Sequence, residues 1–431
     1  MLRQSLEASS PPFGNRKKDM IVRSSWKCLT CNAPHTLRLG MGAETRQIFR
    51  TPCEECGEDL VVALCVDFQK IEHWVEPVEN VEFIDEVAGA HIINLHANYS
   101  VPASERNKDF AFPHLLQMQE YAKVAEANGS LIPVSREDLY TQKLMQRPFR
   151  RMDFAEEWKL LKTTWSLHRR GRDHLIVQRL KDASDIYYAQ DPLSTVQDWL
   201  WRFLLFFSQP EFEKPFRDLV DKVQPLIGSL EFKGFRNHYN EVAPQRAERY
   251  FELMKSYFEN FDQFGQVHFR VVRGLEIPYE NMASSVDFPA VKMFYGNAFE
   301  AFASSIDILA YLGNLIGGRS FDQFEKMTLK EYTRLDKPSR FGPLASVPEF
   351  DALCVERDNQ LRNASHHGGT RFDAQTQNIT YQAGKGGQGA AQEIGLARYL
   401  ARCDRIFLQA MVLFRFEIML TQIAPGFKRP I

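Results

Sequence analysis

The chain has 431 residues, 44% of them hydrophobic and 25% charged, which is the composition of an ordinary globular protein of roughly two to four domains. A formal net charge of −2 excludes a general attraction to polyanions, so any contact with nucleic acid has to be local. No apolar run is expected to reach the length of a membrane span. The nearest one, residues 199–207, contains Arg202 and is predicted to form a buried helix. Residues 1–19 are polar, carry prolines and a basic run and lack the pattern of a signal peptide, so we predict a disordered arm and a cytoplasmic protein.

Four of the seven cysteines form two Cys-x-x-Cys pairs, Cys28 with Cys31 and Cys53 with Cys56. Strand-like stretches flank both pairs, at Met20–Trp26, His35–Leu39, Gln47–Arg50 and Leu60–Val66. Two such pairs at this separation are typical of a tetrahedral zinc site, and residues 20–67 resemble a zinc ribbon. Two disulfides are the alternative, and the lack of a secretory signal disfavours them.

The zinc ion is predicted to be structural, because four thiolates leave no open coordination position for catalysis. The ribbon then either stabilises a small subdomain or also recognises a nucleic acid or a protein. The basic residues near the pairs are Lys27, Arg38, Arg46 and Arg50, and the acidic residues at the second pair are Glu54, Glu55, Glu58 and Asp59. The first set favours nucleic acid and the second opposes it, so we expect a structural role combined with recognition of a partner.

Residues 68–150 are predicted to be a mixed connecting region, with an ambiguous apolar stretch at Ala88–Leu95 and a helix at 112–129. Residues 151–240 show helical periodicity and form a helical middle region in this interpretation. Its helices are expected at Asp153–Leu167, 193–208 and 211–227. The densest basic stretch here contains Arg169, Arg170 and Arg172. These arginines either form a solvated face at a helix end or bind the phosphates of a nucleic-acid substrate.

Residues 241–431 are predicted to form a C-terminal helical domain, because apolar residues recur there at helical spacing. The four expected helices are Pro244–Phe264, Pro289–Ile316, 347–365 and Gln392–Ile423. The glycine-rich stretch before the last helix lacks the spacing of a phosphate-binding loop and is expected to form a hairpin followed by a loop. The fold class expected for the whole chain is mainly α, with a small β zinc ribbon, a largely helical middle region and a C-terminal four-helix bundle.

The third helix of this domain carries residues that suit chemistry on a phosphate. A capping box at Ser346–Glu349 and the stop at Gly368-Gly369 place Arg362 in its last turn and His367 at its end. A histidine can take the proton of a ribose 2′-hydroxyl near neutral pH, and an arginine can hold the phosphate and stabilise its transition state. The alternative is that Arg362 caps the helix and that the histidines are polar surface residues.

Arg362, Asn363 and His367 match the Arg-polar-x-x-x-His signature of HEPN domains, and the C-terminal domain resembles that family of all-helical ribonucleases and toxins. The resemblance implies a metal-independent endoribonuclease that leaves 2′,3′-cyclic phosphate ends, in a toxin or an anti-phage defence effector. In the implied roles, His367 is the general base, Arg362 stabilises the phosphorane and Asn363 orients the phosphate or the histidine. His366 is expected to assist protonation of the leaving group.

The same resemblance implies partners and a further site residue. HEPN nucleases commonly form homodimers whose motifs share one cleft, so the expected partners are RNA, a second copy and, for a toxin, an antitoxin or other protein. The family often has another polar or acidic residue on an earlier helix, for which Glu300 and Asp307 are the candidates. Some HEPN domains lack nuclease activity. The alternative function is therefore a non-catalytic dimerisation or nucleotide-binding protein whose zinc ribbon recognises a partner.

Overall fold

The structure is a computed structural model that describes residues 21–112, 115, 119, 120, 122, 153–366, 369–382, 389–428, 430 and 431. The predicted disordered arm and residues 130–150 lie outside the described residues, as does most of the helix predicted at 112–129.

The N-terminal part is built from β-strands. They are β1 (Ile21–Cys28), β2 (Pro34–Gly40), β3 (Arg46–Pro52), β4 (Asp59–Asp67), β5 (Glu72–Glu79), β6 (Val81–Phe83), β7 (His91–His96) and β8 (Val101–Pro102), followed by helix α1 (Ala103–Arg106). One sheet has the order β6-β1-β2-β7, with β2 and β7 parallel, and a second, antiparallel sheet has the order β3-β4-β5. The four strands predicted around the cysteines are confirmed, and the ambiguous stretch at 88–95 contains strand β7.

Helices dominate the middle of the chain. They are α2 (Phe154–Arg169), α3 (Asp173–Tyr187), α4 (Val196–Ser208), α5 (Glu213–Val223), α6 (Leu230–Glu259) and α7 (Phe261–Val271). The side chains of Asp153, Thr195 and Ser229 cap α2, α4 and α6 by accepting the N–H three residues later. The helix predicted to start at Pro244 therefore starts at Leu230, and it runs through the domain boundary expected at residue 240.

The C-terminal part mixes short helices with a small sheet. Its elements are β9 (Asn281–Met282), α8 (Phe288–Val291), α9 (Phe294–Ala303), α10 (Asp307–Ile316), α11 (Leu329–Arg334), a 3₁₀ helix (Pro338–Ser346), α12 (Pro348–Leu353), α13 (Asn359–His366), β10 (Thr370–Asp373), β11 (Asn378–Gln382), β12 (Ala391–Gly395) and α14 (Leu396–Ile423). Strand β9 pairs with β8, and β10, β11 and β12 form an antiparallel sheet at the predicted hairpin.

The prediction of a mainly α protein with a HEPN-like four-helix bundle is wrong. About half of the described residues are helical and about a fifth are in strands, which form several sheets. The segment Pro289–Ile316 is divided among three helices, the predicted helix at 347–365 is two, and the start of the predicted last helix is strand β12. The predicted capping box is also absent, because Ser346 Oγ donates to the carbonyl of Pro343 and leaves Val347 as the N-cap of α12.

Buried side chains stabilise the helix breaks that the sequence pattern does not reveal. Between α9 and α10, Arg249 Nη1 donates to the carbonyl of Ser304 and Arg246 Nη2 to that of Ser305, over 3.0 and 2.6 Å. Between α12 and α13, the amide of Gln409 accepts the N–H of Glu356 and donates to its carbonyl, over 2.7 and 3.0 Å. These bonds satisfy backbone groups that an unbroken helix would have paired internally.

One hydrophobic core extends from Trp158 to Phe427 and joins residues on both sides of position 240. Helix α14 lies in its middle and contacts α4, α5, α6, α7 and α9. Two segments of the described chain, Phe288–Ile316 and Leu396–Ile423, are long and apolar enough to cross a membrane, which corrects the expectation that no run reaches that length. The best window of each is 67% and 83% buried inside the protein, so packing in this core explains the apolar composition.

Helix α14 also carries acidic groups into this core. The carboxylate of Glu417 is fully buried and accepts hydrogen bonds from Arg246 Nε at 2.9 Å, Tyr239 Oη at 2.9 Å and Tyr250 Oη at 2.6 Å. Arg246 also donates to Asp307 on α10. This network connects three helices through one buried ion pair.

We expect Glu417→Ala to lower the free energy of unfolding by about 3–5 kcal/mol, because it leaves the Arg246 guanidinium buried without its main partner. Glu252→Ala is the matched control, since Glu252 lies on α6 in an exposed pair with Lys255 and should change stability by less than about 1 kcal/mol. Urea unfolding followed by circular dichroism measures both. Equal small losses in the two variants would show that the buried network is not needed for stability.

Candidate functional site

Two hairpin turns bring the four predicted metal ligands together. Cys28 is the last residue of β1 and Cys31 lies in the turn to β2, while Cys53 directly follows β3 and Cys56 lies in the turn to β4. Their four Sγ atoms all lie within 4.8 Å of one another. The two hairpins belong to different sheets, so the cysteines join those sheets at one end.

The two turns share one backbone pattern. The residue after the second cysteine, Asn32 or Gly57, has a left-handed backbone with φ of 65° and 77°, which asparagine and glycine tolerate best. The N–H of this residue donates to the carbonyl of the first cysteine over 2.9 Å in both turns. The N–H of the first cysteine in turn donates to the carbonyl of Ala33 or Glu58, over 3.0 and 2.8 Å. Each turn is therefore closed by its own backbone, with both cysteine side chains at its tip.

The spacing of the sulfur atoms suits a tetrahedral ion. The Sγ atoms of Cys28 and Cys56 are 3.8 Å apart, and those of Cys31 and Cys53 are 3.6 Å apart. Four thiolates bound to a zinc-sized ion at about 2.3 Å would be about 3.8 Å from one another. The group can thus hold a metal ion, and all four ligands come from protein, which leaves no open position at a tetrahedral centre.

The thiols differ in how readily they ionise. Burial raises the pKa of the Cys53 thiol to about 12. Burial acts in the same direction on Cys28, but hydrogen bonds from the backbone of Cys31 and Thr30 outweigh it and lower the pKa of that thiol to about 7. Asn80 Nδ2 also lies 3.6 Å from Cys28 Sγ. A bound cation favours the thiolate form of every ligand, so the complete set of thiolates is expected only with the ion in place.

A buried histidine that the sequence analysis did not single out connects the two turns. His35 is fully buried, its Nδ1 lies 3.1 Å from the carbonyl of Ala33, and its Nε2 accepts the N–H of Glu54 over 3.2 Å. Burial lowers the pKa of His35, which fits a neutral ring with its proton on Nδ1. His91 packs beside it, with ring centroids 5.3 Å apart, and bonds Glu55 of the second turn. The carboxylate of Glu55, one of the acidic residues of that turn, therefore has a partner within the protein.

The second predicted site lies on α13. Arg362 Nε donates to Glu300 Oε1 of α9 over 2.8 Å, and its Nη1 donates to Asn363 Oδ1 over 2.7 Å. The Arg362 and Glu300 side chains are 24% and 31% exposed, so this Arg362–Glu300 pair can be reached from solvent. Of the two acidic candidates, Glu300 therefore lies at the motif arginine, whereas Asp307 pairs with Arg246.

The first histidine of the motif, His366, packs against α9. His366 ends α13, and its buried Nε2 has no hydrogen-bond partner among the described residues. The ring packs against Gly296 of α9, where a Cβ would lie 2.7 Å from that nitrogen. His367 lies outside the described residues.

Two further cations contact the end of α9, and a third lies near one of them. Arg249 Nη1 and Lys337 Nζ contact the carbonyl and the hydroxyl of Ser304, at 3.0 and 2.5 Å. Burial lowers the pKa of the Lys337 amine, and the nearby positive charge of Arg340 lowers it further. We call these three cations the α9 cationic cluster. Among the described residues none of them forms an ion pair within 4.0 Å, although the charges of Glu300 and Asp307 act on Lys337 from farther away. The carbonyl end of a helix attracts cations, so the cluster also has a purely structural explanation.

The predicted basic stretch lies in the turn between α2 and α3. Arg169 is paired with Glu248 of α6, and its guanidinium lies 4.8 Å from the ring centre of Phe251. Arg170 and Arg172 are exposed. Arg169 of the basic turn thus contacts Glu248 of α6, and the next residue of α6 is Arg249, a member of the α9 cationic cluster.

Comparisons with protein-family models, curated proteins and solved structures found no match. The resemblance to HEPN domains therefore stays a prediction that rests on Arg362, Asn363 and His367. The α9 cationic cluster had no signal in the sequence, because its members lie on separate elements and only the fold brings them together.

We expect one metal ion per chain and expect Cys53→Ser to lose most of it, because three thiolates hold a tetrahedral ion far less well than four. Cys65→Ser is the matched control, since Cys65 is a buried cysteine of β4 that belongs to no potential ligand group in the described chain. Elemental analysis of protein purified without chelator measures the metal content. Metal-free wild-type protein, or equal metal in wild type and Cys53→Ser, would contradict this assignment.

We expect Gly296→Ala to destabilise the protein by about 1–3 kcal/mol, because the new methyl group must displace the His366 ring. The matched control is Gly234→Ala on α6, where the added Cβ would meet only ring atoms of Phe321 at 3.7 Å. The higher helix propensity of alanine should make that variant up to about 1 kcal/mol more stable than wild type. Thermal and urea unfolding distinguish the two, and a stabilising Gly296→Ala would show that His366 is free to move.

Proposed function

We propose that this protein is an endoribonuclease whose reaction needs no metal ion and whose active site lies at the end of α13. The Arg362–Glu300 pair is the observation that carries the proposal. It holds a guanidinium in a defined, solvent-reachable position next to Asn363, one helical turn before His366 in the sequence. The resemblance implied a polar or acidic residue on an earlier helix, and Glu300, one of the two candidates, contacts Arg362.

In the proposed reaction, the substrate supplies its own nucleophile. His367 takes the proton of the ribose 2′-hydroxyl, and the 2′-oxygen attacks the adjacent phosphorus. The bond from phosphorus to the 5′-oxygen breaks, the leaving oxygen takes a proton from solvent, and His367 returns its proton to solvent. Arg362 stabilises the charge of the phosphorane, and Asn363 orients the guanidinium or the phosphate. The products are a 2′,3′-cyclic phosphate and a 5′-hydroxyl.

The role first expected for His366 is not part of this proposal. Its Nε2 is buried against Gly296, away from any solvent-exposed leaving group. We assign His366 to positioning the end of α13.

The α9 cationic cluster supports binding of an RNA backbone near this pair. Arg249 and Lys337 both contact Ser304, which lies one helical turn after Glu300. Cations without carboxylate partners can bind phosphates without first breaking an ion pair. The exposed Arg170 and Arg172 would extend this surface beyond α6.

The proposal includes zinc as the metal of the four-cysteine group, with a structural role in the N-terminal β region. Four thiolates at these distances suit zinc, and no step of the cleavage uses it. A homodimer that brings two α13 ends together remains part of the proposal, because one arginine offers little surface to hold an RNA chain.

A non-catalytic role is the second candidate, and the same contacts favour it. Arg362 donates to Glu300 and Asn363, and the Nε2 atom of His366 is buried, which is what a purely structural contact between α9 and α13 would show. In that case the α13 end would stabilise a dimerisation or nucleotide-binding scaffold.

Cleavage of total RNA in the presence of EDTA tests the first candidate. We expect Arg362→Ala and His367→Ala each to lower the rate by at least about 100-fold, because each removes a group that acts in the transition state. Lys337→Gln should weaken RNA binding and make the binding less dependent on salt. Its cleavage rate should fall less than that of Arg362→Ala or His367→Ala. His366→Ala should have the smallest effect of the motif residues on the rate.

The matched controls are Lys233→Ala and His73→Ala, which remove an exposed cation in the first turn of α6 and an exposed histidine of β5. Both should cleave RNA as wild type does. Full activity of His367→Ala, or no cleavage by wild type at any tested pH, would favour the non-catalytic candidate. Unfolding measurements on each variant separate loss of chemistry from loss of structure.

A further inference from the structure

Arg106, the last residue of α1, is a buried cation with an unused donor. The residue is 4% exposed. Its Nη2 donates to Thr51 Oγ1 over 2.6 Å, but its buried Nη1 has no hydrogen-bond partner in the part of the chain that the structure describes. Arg106 and Thr51 both lie next to the second cysteine turn, because Thr51 is only two residues before Cys53 in the sequence.

Three other buried arginines of the described chain, Arg246, Arg270 and Arg415, pair with a carboxylate, whereas Arg38 donates to backbone carbonyls. Arg246 pairs with Glu417, and Arg415 pairs with Glu213 at 2.6 Å. Arg106 has no such contact. Burial lowers its pKa, and the charge of Glu54 offsets this only from a distance. A buried charge without an opposite charge beside it is costly, so an anion bound next to this guanidinium would stabilise the folded protein.

Space for an anion lies beside this guanidinium. Arg106 lines a cavity of about 290 Å³, called here the Arg106 cavity, whose walls also include Glu54, Asn107, Met282 and Gln375. This volume exceeds many times the space of about 10–15 Å³ that one water molecule requires, so a small organic molecule fits. The amides of Asn107 and Gln375 add polar groups to a wall that is otherwise partly apolar.

We propose that the Arg106 cavity binds an oxyanion, the phosphate or carboxylate group of a small ligand, paired with the Arg106 guanidinium. The planar fork of an arginine matches two oxygens of either group. The carboxylate of Glu54 on the wall opposes a highly charged polyanion, which favours a single anionic group over a nucleic-acid strand. The cavity joins the cysteine turn to Met282 of β9 and Gln375 of the β10–β11 turn, so the ligand would connect the N-terminal β region to the C-terminal part. This inference is independent of the proposed nuclease.

Thermal unfolding of the full-length, metal-loaded protein tests this site. Inorganic phosphate and acetate are added separately and compared with sodium chloride at equal ionic strength. We expect at least one of them to raise the unfolding midpoint of the wild type by roughly 2 °C or more, since a ligand that binds only the folded state stabilises it. The more effective anion identifies which group the site prefers.

Arg106→Met should abolish this rise. In chloride alone this variant should melt at or above the wild-type temperature, because it removes an unpaired buried charge and keeps the length of the side chain. Gln375→Trp is the second variant, since Gln375 is exposed on the cavity wall and a bulky ring there should obstruct the cavity without changing Arg106. Gln375→Trp should also reduce the anion-dependent rise in the unfolding midpoint. It is the variant that tests the site if Arg106→Met does not fold.

Two results would overturn the proposal. One is that neither anion raises the midpoint of the wild type above the chloride control. The other is that a folded Arg106→Met, or in its absence Gln375→Trp, shows the same anion-dependent rise as the wild type.

Discussion

The need to satisfy polar groups buried along α14 determines how the helical part of this protein is put together. Asp404, Gln409 and Glu417 are fully buried in a helix that is otherwise mostly apolar. Asp404 accepts the hydroxyl of Tyr257 at 2.6 Å and lies 3.1 Å from His268 Nδ1. Apolar packing alone would allow neighbouring helices to slide, whereas each of these groups has one set of partners at one position.

The same constraint positions the candidate active site. Gln409 holds the backbone of Glu356, and the Glu356 carboxylate accepts from Arg402 of α14 at 2.8 Å. Asp358 then caps α13 by accepting the N–H of Leu361 at 3.0 Å. The end of α13 therefore takes its direction from α14, and Arg362 meets Glu300 because α9 packs against both helices. A substitution that removes one of these buried hydrogen bonds would therefore displace the end of α13 without changing any residue of the candidate site.

A different physical device organises the N-terminal β region. Two backbone-closed turns present four thiols to one point, and His35 links the turns through hydrogen bonds to both. Serine side chains connect this region to the rest of the chain, because Ser285 Oγ accepts the N–H of Arg50 and Ser284 Oγ that of His96. A metal ion in the turns would thus stabilise more than the turns themselves.

Local chemistry explains what the sequence determined by itself. The four cysteines, the strands around them and several helices of the middle region follow from spacing and periodicity that a few neighbouring residues contain. The helix breaks at Ser304 and Glu356 were not predictable in this way, because the groups that stabilise them, Arg249 and Gln409, come from distant helices. The prediction of a four-helix bundle was wrong for this reason, and the predicted bounds of the motif helix were wrong as well. Only the tertiary structure decided that Arg362 contacts Glu300 and that Arg106 is buried without a carboxylate. A side chain's partner depends on which elements the shared core brings together.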